Sequence, residues 1–178
     1  MKRLVEMGFL LTLCLSTAQA EVTQSGDSSM TVSHVVTTKA TTEQSWAAMT
    51  HRIAEWWHPD HSWSGDAANF YIKAELGGCF CERLPASDGG QAGGVEHLRI
   101  IYIKPPEAIR FDGSLGPLID MPVQGRMSWT VTQAAEGSSI NFTYQVHGYM
   151  EGGFTGLAPV VDGVIGQQIQ RLQALLNQ

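Results

Sequence analysis

The feature that most constrains the fold is an apolar pattern of period two that gives way, near the C-terminus, to one of period 3.6. Met127, Trp129 and Val131 alternate with Ser128 and Thr130. Beyond a turn at Glu136-Gly137, Ile140, Phe142, Tyr144 and Val146 alternate with Asn141, Thr143 and Gln145. Residues two apart on a strand share a face, so these segments predict a strand pair with one apolar side. From Pro159 to Leu176 the pattern changes, and Val161, Val164, Ile165, Ile169, Leu172, Leu175 and Leu176 recur at helical spacing. Pro159 suits a first helical turn, and Asp162 near that end favours the helix dipole. A one-sided sheet must be covered, and this last helix is available to cover it. Gly163 and Gly166 lie inside it, where glycine costs about 1 kcal/mol relative to alanine, so each predicts a packing reason.

Upstream, TVSHVVTTKA (31–40) reads as a first strand. Thr42 is the expected N-cap of a helix or helix pair in which Trp46, Met49, Ile53 and Trp56/Trp57 recur at three- and four-residue steps, with Glu43 in the first turn. Pro59 ends it, and HPDHSWSGDAAN is a loop. From Asn69 short strands follow: NFYIKAEL, CFCERL after a Gly77-Gly78 turn, VEHLRIIYIK, then EAIRFDG beyond Pro105-Pro106. The order predicts an α+β domain over residues 31–178, an antiparallel meander with helices segregated from it.

The N-terminus has the layout of an export signal. Lys2 and Arg3 precede an apolar run from Met7 to Leu15, and Ala18-Gln19-Ala20 offers the small-x-small pattern of signal peptidase. Residues 1–20 are therefore expected to be removed after Ala20, leaving a periplasmic or secreted protein with a polar, flexible lead-in over residues 21–30. The apolar run is too short to span a bilayer, which takes about 20 residues. Losing Lys2, Arg3 and Glu6 takes 11 basic and 17 acidic residues to 9 and 16, a net charge of −7. That sign excludes a nucleic-acid binder relying on phosphate contacts. No later segment predicts a membrane span.

Three stretches carry a family resemblance. They are the helix ending in Trp56-Trp57 before a His-Pro loop, the Gly77-Gly78-x-Phe80-x-Glu82 hairpin, and Met127-Ser-Trp129 leading through Gly137 to Phe142-Thr-Tyr144 and the last helix. Over about residues 31–177 the chain resembles the START-related SRPBCC superfamily, the birch-pollen-allergen-like proteins. It looks most like the branch of polyketide-cyclase-like proteins and chaperone-ATPase activators. The resemblance implies a helix grip, a curved antiparallel sheet wrapped around a long C-terminal helix with a short helix pair after the first strand. It also implies a cavity between sheet and helix for a hydrophobic small molecule or lipid. Phe70, Ile72, Phe80, Leu98, Ile100, Met127, Trp129, Phe142 and Tyr144 can line such a cavity, with Trp56 and Trp57 at its mouth. The same residues can instead fill a solid core, and the sequence leaves both open.

Three sets of residues could carry chemistry. Glu82 shares strand parity with Phe80, so it could sit inside; a buried carboxylate is pushed toward its protonated form and can act as acid or base, here with His58 or His61. Cys79 and Cys81 are the cysteines left after cleavage. On an extended strand they lie about 6.6 Å apart on one face, which predicts free thiols rather than a disulfide and offers soft ligands for Cu(I) or Zn beside His97, Met121 or Met127. His34 and His147 fall within strands and read as surface-facing or hydrogen-bonded structural residues. No hydrolase elbow, P-loop, dinucleotide fingerprint or His-Glu-x-x-His run occurs. The favoured expectation is a non-catalytic, exported module that binds a hydrophobic small molecule or lipid and needs no cofactor. The alternatives are a cyclase- or hydrolase-type enzyme using Glu82, and a metal or redox protein using Cys79 and Cys81.

Overall fold

The computed structural model describes residues 19–87 and 89–178. The leader expected over residues 1–20 lies, except for its last two residues, outside them. Eight strands form one antiparallel sheet: β1 (Gln19–Ser25), β2 (Ser29–Thr38), β3 (Phe70–Ile72), β4 (Cys79–Leu84), β5 (Gly93–Lys104), β6 (Ala108–Asp112), β7 (Val123–Gln133) and β8 (Ser138–Gly148). Their spatial order is β1-β2-β8-β7-β6-β5-β4-β3, so β3 to β8 are a meander, and β2 closes onto β8. Between β2 and β3 lie α1 (Thr42–His51) and α2 (Ile53–Trp56), and α3 (Ala158–Leu176) ends the chain. This is the α+β meander expected from the patterning, arranged as the helix grip that the resemblance implies.

The alternation at β7 and β8 sets the core. Trp129 pairs with Phe142 and Met127 with Tyr144, and all four are buried on the face that α3 covers. The Trp129 and Phe142 rings stack, 4.6 Å between centroids and 14° from parallel. Trp56 of α2 meets Trp129 edge-on at 5.7 Å, and its indole N–H donates to the Ala48 carbonyl at 3.0 Å. Such aromatic pairs add about 0.5–1.5 kcal/mol each beyond their area burial. No helix among the described residues is long and apolar enough to cross a membrane.

Three local expectations are corrected. The first concerns residues 21–30, expected as a flexible lead-in. Here β1 lies along β2 with Val22 opposite Val32 and Ser25 opposite Met30. An edge strand is held by main-chain pairing with its neighbour, so its polar side chains gave no signal. The second is the N-cap of α1, which is Thr41 rather than Thr42. Its hydroxyl accepts from the Gln44 amide while the Gln44 side chain accepts from the Thr41 amide, a complete capping box. The third is Gly163. Gly166 has the expected packing reason, since an added Cβ would come 2.7 Å from His34 Cε1, but Gly163 faces open space.

Candidate ligand-binding site

A cavity of about 500 Å³ lies between the sheet and the first half of α3, within the range of small-molecule sites. Its walls come from four places. The loop after α2 gives Trp57 and residues Asp60–Trp63, and the sheet gives Phe70, Phe80, His97 and Tyr144. The segment before β7 gives residues Leu115–Leu118 and Met121, while α3 and its approach give Leu157, Val160, Val161, Val164 and Ile165. Trp63, Met121 and Val160 line it and are also exposed, so the rim is apolar.

Hydrogen bonds to α3 fix the loop that walls one side. Buried Gln168 accepts from the His58 amide at 2.7 Å, Arg171 Nε donates to the Trp56 carbonyl at 2.8 Å, and His61 Nε2 lies 3.0 Å from Gln167 Oε1. The Trp57 indole donates to the His61 carbonyl at 3.2 Å. From the sheet side, Glu82 holds the same loop. Its Oε1 accepts from the Ser64 amide at 2.6 Å and its Oε2 from the Trp63 amide at 3.0 Å.

Glu82 Oε2 also lies 3.0 Å from His97 Nε2, and both side chains are almost fully buried. This pairing was not read from the sequence, where parity with Leu98 and Ile100 along β5 sends His97 outward with Arg99. The ladder between β4 and β5 slips there: Phe80 pairs with Leu98 but Cys81 with Glu96, and His97 is left without a Cα partner. The extra residue is a β-bulge, which re-aims a side chain, so His97 and Leu98 are consecutive inward residues. Burial would push the Glu82 carboxyl up, but the Ser64 side chain, the Trp63 and Ser64 amides and His97 outweigh it and hold the group below its ordinary value. Burial pushes His97 down, and Glu82 restores only part of that.

The expected lining residues divide. Trp57, Phe70, Phe80 and Tyr144 line the cavity. Trp56, Leu98, Ile100, Met127, Trp129 and Phe142 are buried in the solid core, and Ile72 packs against its edge. Trp56 is therefore not at the mouth; Trp63, seven residues beyond the end of α2, is. The Tyr144 hydroxyl accepts from the Leu115 amide at 3.0 Å and lies 3.4 Å from the Gly113 carbonyl, and burial pushes its pKa up.

The candidate catalytic set does not assemble. Glu82 meets neither His58 nor His61, its carboxyl is shifted down rather than up, and it lies behind His97 rather than on the cavity wall. His58 Nδ1 instead accepts from the Asp60 amide. His147 is exposed. His34 is buried, with Nε2 2.9 Å from Asp162 Oδ1 but without the alignment of a hydrogen bond. The expectation of free thiols is overturned, since Cys79 and Cys81 form a disulfide. Their Cα atoms are 5.5 Å apart, closer than the roughly 6.6 Å of an extended strand, and the β4–β5 ladder slips at the same point. Glu96 lies beside the sulfurs, but oxidised sulfurs are not the thiolates that a Cu(I) or Zn site needs.

Sheet, long helix and the cavity between them define a helix-grip domain. No known protein-family model matches the chain, and no curated protein matches it in sequence. Solved structures do share the fold. A protein from Rhodobacter sphaeroides is 15% identical with a TM-score of 0.56, covering 89% of this chain and 98% of its own. Protein CV1439 from Chromobacterium violaceum is 20% identical with a TM-score of 0.55, covering 83% and 97%. DynU16, from the dynemicin biosynthetic locus, is 18% identical with a TM-score of 0.55, over 82% of this chain and 46% of DynU16. Identities this low speak to the fold alone.

Proposed function

We propose that this chain is an exported binding protein that takes up a hydrophobic small molecule or lipid in the cavity between sheet and α3. The observation that carries the reading is the cavity itself, about 500 Å³ in volume, walled by aromatic and aliphatic side chains and rimmed by exposed Trp63, Met121 and Val160. Apolar surface left open at such a rim favours apolar ligands entering from water. Export is supported by the basic-apolar-small layout of residues 1–20 and by the Cys79–Cys81 disulfide, which suits an oxidising compartment. Cleavage after Ala20 would still leave Glu21, Val22, Gln24 and Ser25 paired with β2.

Titration with N-phenyl-1-naphthylamine, an uncharged probe that fluoresces in apolar surroundings, tests the reading. The wild-type protein should take up the probe saturably, and Val161→Trp, which fills the cavity from α3, should weaken uptake at least tenfold while leaving the fold intact. A wild type that takes up no probe, or a folded Val161→Trp variant with unchanged affinity, would refute it. N-terminal sequencing of the protein from its own cells should begin at Glu21, and an intact Met1 would refute export with cleavage.

A further inference from the structure

Of the polar groups in the cavity wall, most are already spent on the protein. The Tyr144 hydroxyl takes the Leu115 amide and faces the Gly113 carbonyl, Ser62 Oγ donates to the Pro59 carbonyl at 2.7 Å, and His61 Nε2 is engaged by Gln167. His97 differs. Its Nε2 faces a carboxylate, which can only accept, so the neutral ring carries its proton there and Nδ1 is left as a bare acceptor. Nδ1 has no hydrogen-bond partner among the described residues, yet it is not one of the sealed, unpartnered polar atoms; it keeps some exposed surface, and His97 is one of the residues that line the cavity. The ring is held at 5.1 Å from Phe80 and 5.5 Å from Phe70, centroid to centroid, so its direction is fixed. A bulge in β5, a carboxylate behind the ring and two aromatic walls together present one buried acceptor to a mostly apolar space.

We propose that the ligand of this cavity carries a neutral hydroxyl donor, a phenol or an enol, which donates its hydrogen bond to Nδ1 of His97. The proposal deepens the reading of the cavity as a ligand site and rests on it. Glu82 argues for a neutral group, because its negative charge behind the imidazole disfavours an anion in front. A planar hydroxylated ring also matches the edges of Trp57, Phe70 and Phe80, which prefer offset or edge-on aromatic neighbours. His97 is here a ligand-orienting residue, and Glu82 positions it.

Matched probes separate this proposal from the cavity reading beneath it. Titration of 2-naphthol and its methyl ether into the purified protein compares one apolar body with and without a donor. The wild type should bind 2-naphthol on the order of tenfold more tightly than the ether, as one buried hydrogen bond allows, although the ether is the more hydrophobic of the two. His97→Phe should lose that preference, binding 2-naphthol and its ether with equal affinity, in a variant shown to be folded by circular dichroism. A wild type that binds both equally, or a preference that survives in His97→Phe, overturns the hydroxyl proposal and leaves the cavity reading intact. A wild type that binds neither overturns both. Should His97→Phe fail to fold, the nitrogen resonances of His97 in the wild type decide: the Nδ1 signal should move with 2-naphthol and not with its ether, and an unmoved signal overturns the proposal.

Discussion

Two glycines three residues apart on α3 should respond to the same substitution in opposite directions. At Gly163 a new Cβ meets nothing within 4 Å, so Gly163→Ala should gain the helix propensity difference of about 1 kcal/mol. At Gly166 the Cβ would arrive 2.7 Å from His34 Cε1 and 3.2 Å from its Nδ1. That ring cannot swing aside freely: His34 is 2% exposed between β2 and α3, with its Nε2 2.9 Å from Asp162. Overpacking of this kind costs about 1–3 kcal/mol, which offsets the propensity gain and leaves Gly166→Ala destabilised by about 1 kcal/mol. The two variants should therefore differ by about 2 kcal/mol, or roughly 4–8 °C in melting temperature for a domain of this size. Differential scanning calorimetry of the pair is the assay. Adding His34→Ala should remove most of the penalty at Gly166 and none at Gly163, a coupling expected only of groups in contact. A Gly166→Ala protein that melts at or above Gly163→Ala would refute the placement of His34 against the helix.

Three further outcomes are expected. Glu82 and His97 both hold protons less readily when folded than their ordinary values imply, so the unfolded chain binds more protons on acidification and stability rises with pH. The melting temperature should accordingly be highest above about pH 6.5, the ordinary histidine value, fall below it, and fall further through the carboxylate range; a flat profile from pH 7 to pH 4 would contradict this. Trp129→Ala should cost about 3–5 kcal/mol in denaturant titrations, because the ring is fully buried between Phe142, Phe111 and Trp56 rather than beside empty space; a loss under 1 kcal/mol would mean that the cavity extends there. Alkylation and peptide mass analysis should recover Cys79 and Cys81 oxidised to each other, with Cys79→Ser/Cys81→Ser less stable by under ~2 kcal/mol because the loop closed is so short; free thiols in the native protein would contradict the bridge.

The fold was legible because its largest elements obey a single period each. The faces of β7 and β8, the position of CFCERL as Cys79–Leu84 and the span of α3 follow from spacing alone. The site was legible only in part, and the reason lies at one point of the ladder. A reading by parity assumes that a strand keeps its register, and β5 does not: the bulge at His97 turns inward a residue that alternation sends out. The same slip lies beside the approach of Cys79 and Cys81, whose spacing the reading of free thiols took as fully extended. Trp63 was missed for another reason. It lies in a loop without periodicity, and long-range hydrogen bonds, among them those the Trp63 and Ser64 amides donate to Glu82, hold it at the rim.

Glu82 thereby joins two parts of the site that are distant in sequence. One carboxylate holds the rim loop through two amides and fixes the His97 ring through its other contact, so loss of the loop contacts would also leave the imidazole without a settled orientation. The arrangement explains why a charged side chain is tolerated at 1% exposure. Each oxygen has a donor, and a buried carboxylate satisfied in this way avoids most of the desolvation penalty that an unpaired one would incur. It also fixes where polarity can enter the cavity. The hydroxyl of Tyr144, the hydroxyl of Ser62 and Nε2 of His61 are tied to the protein and the Asp60 carboxylate stands in water, so the buried direction in which a ligand can be recognised by a hydrogen bond is the one Glu82 and the bulge give to His97.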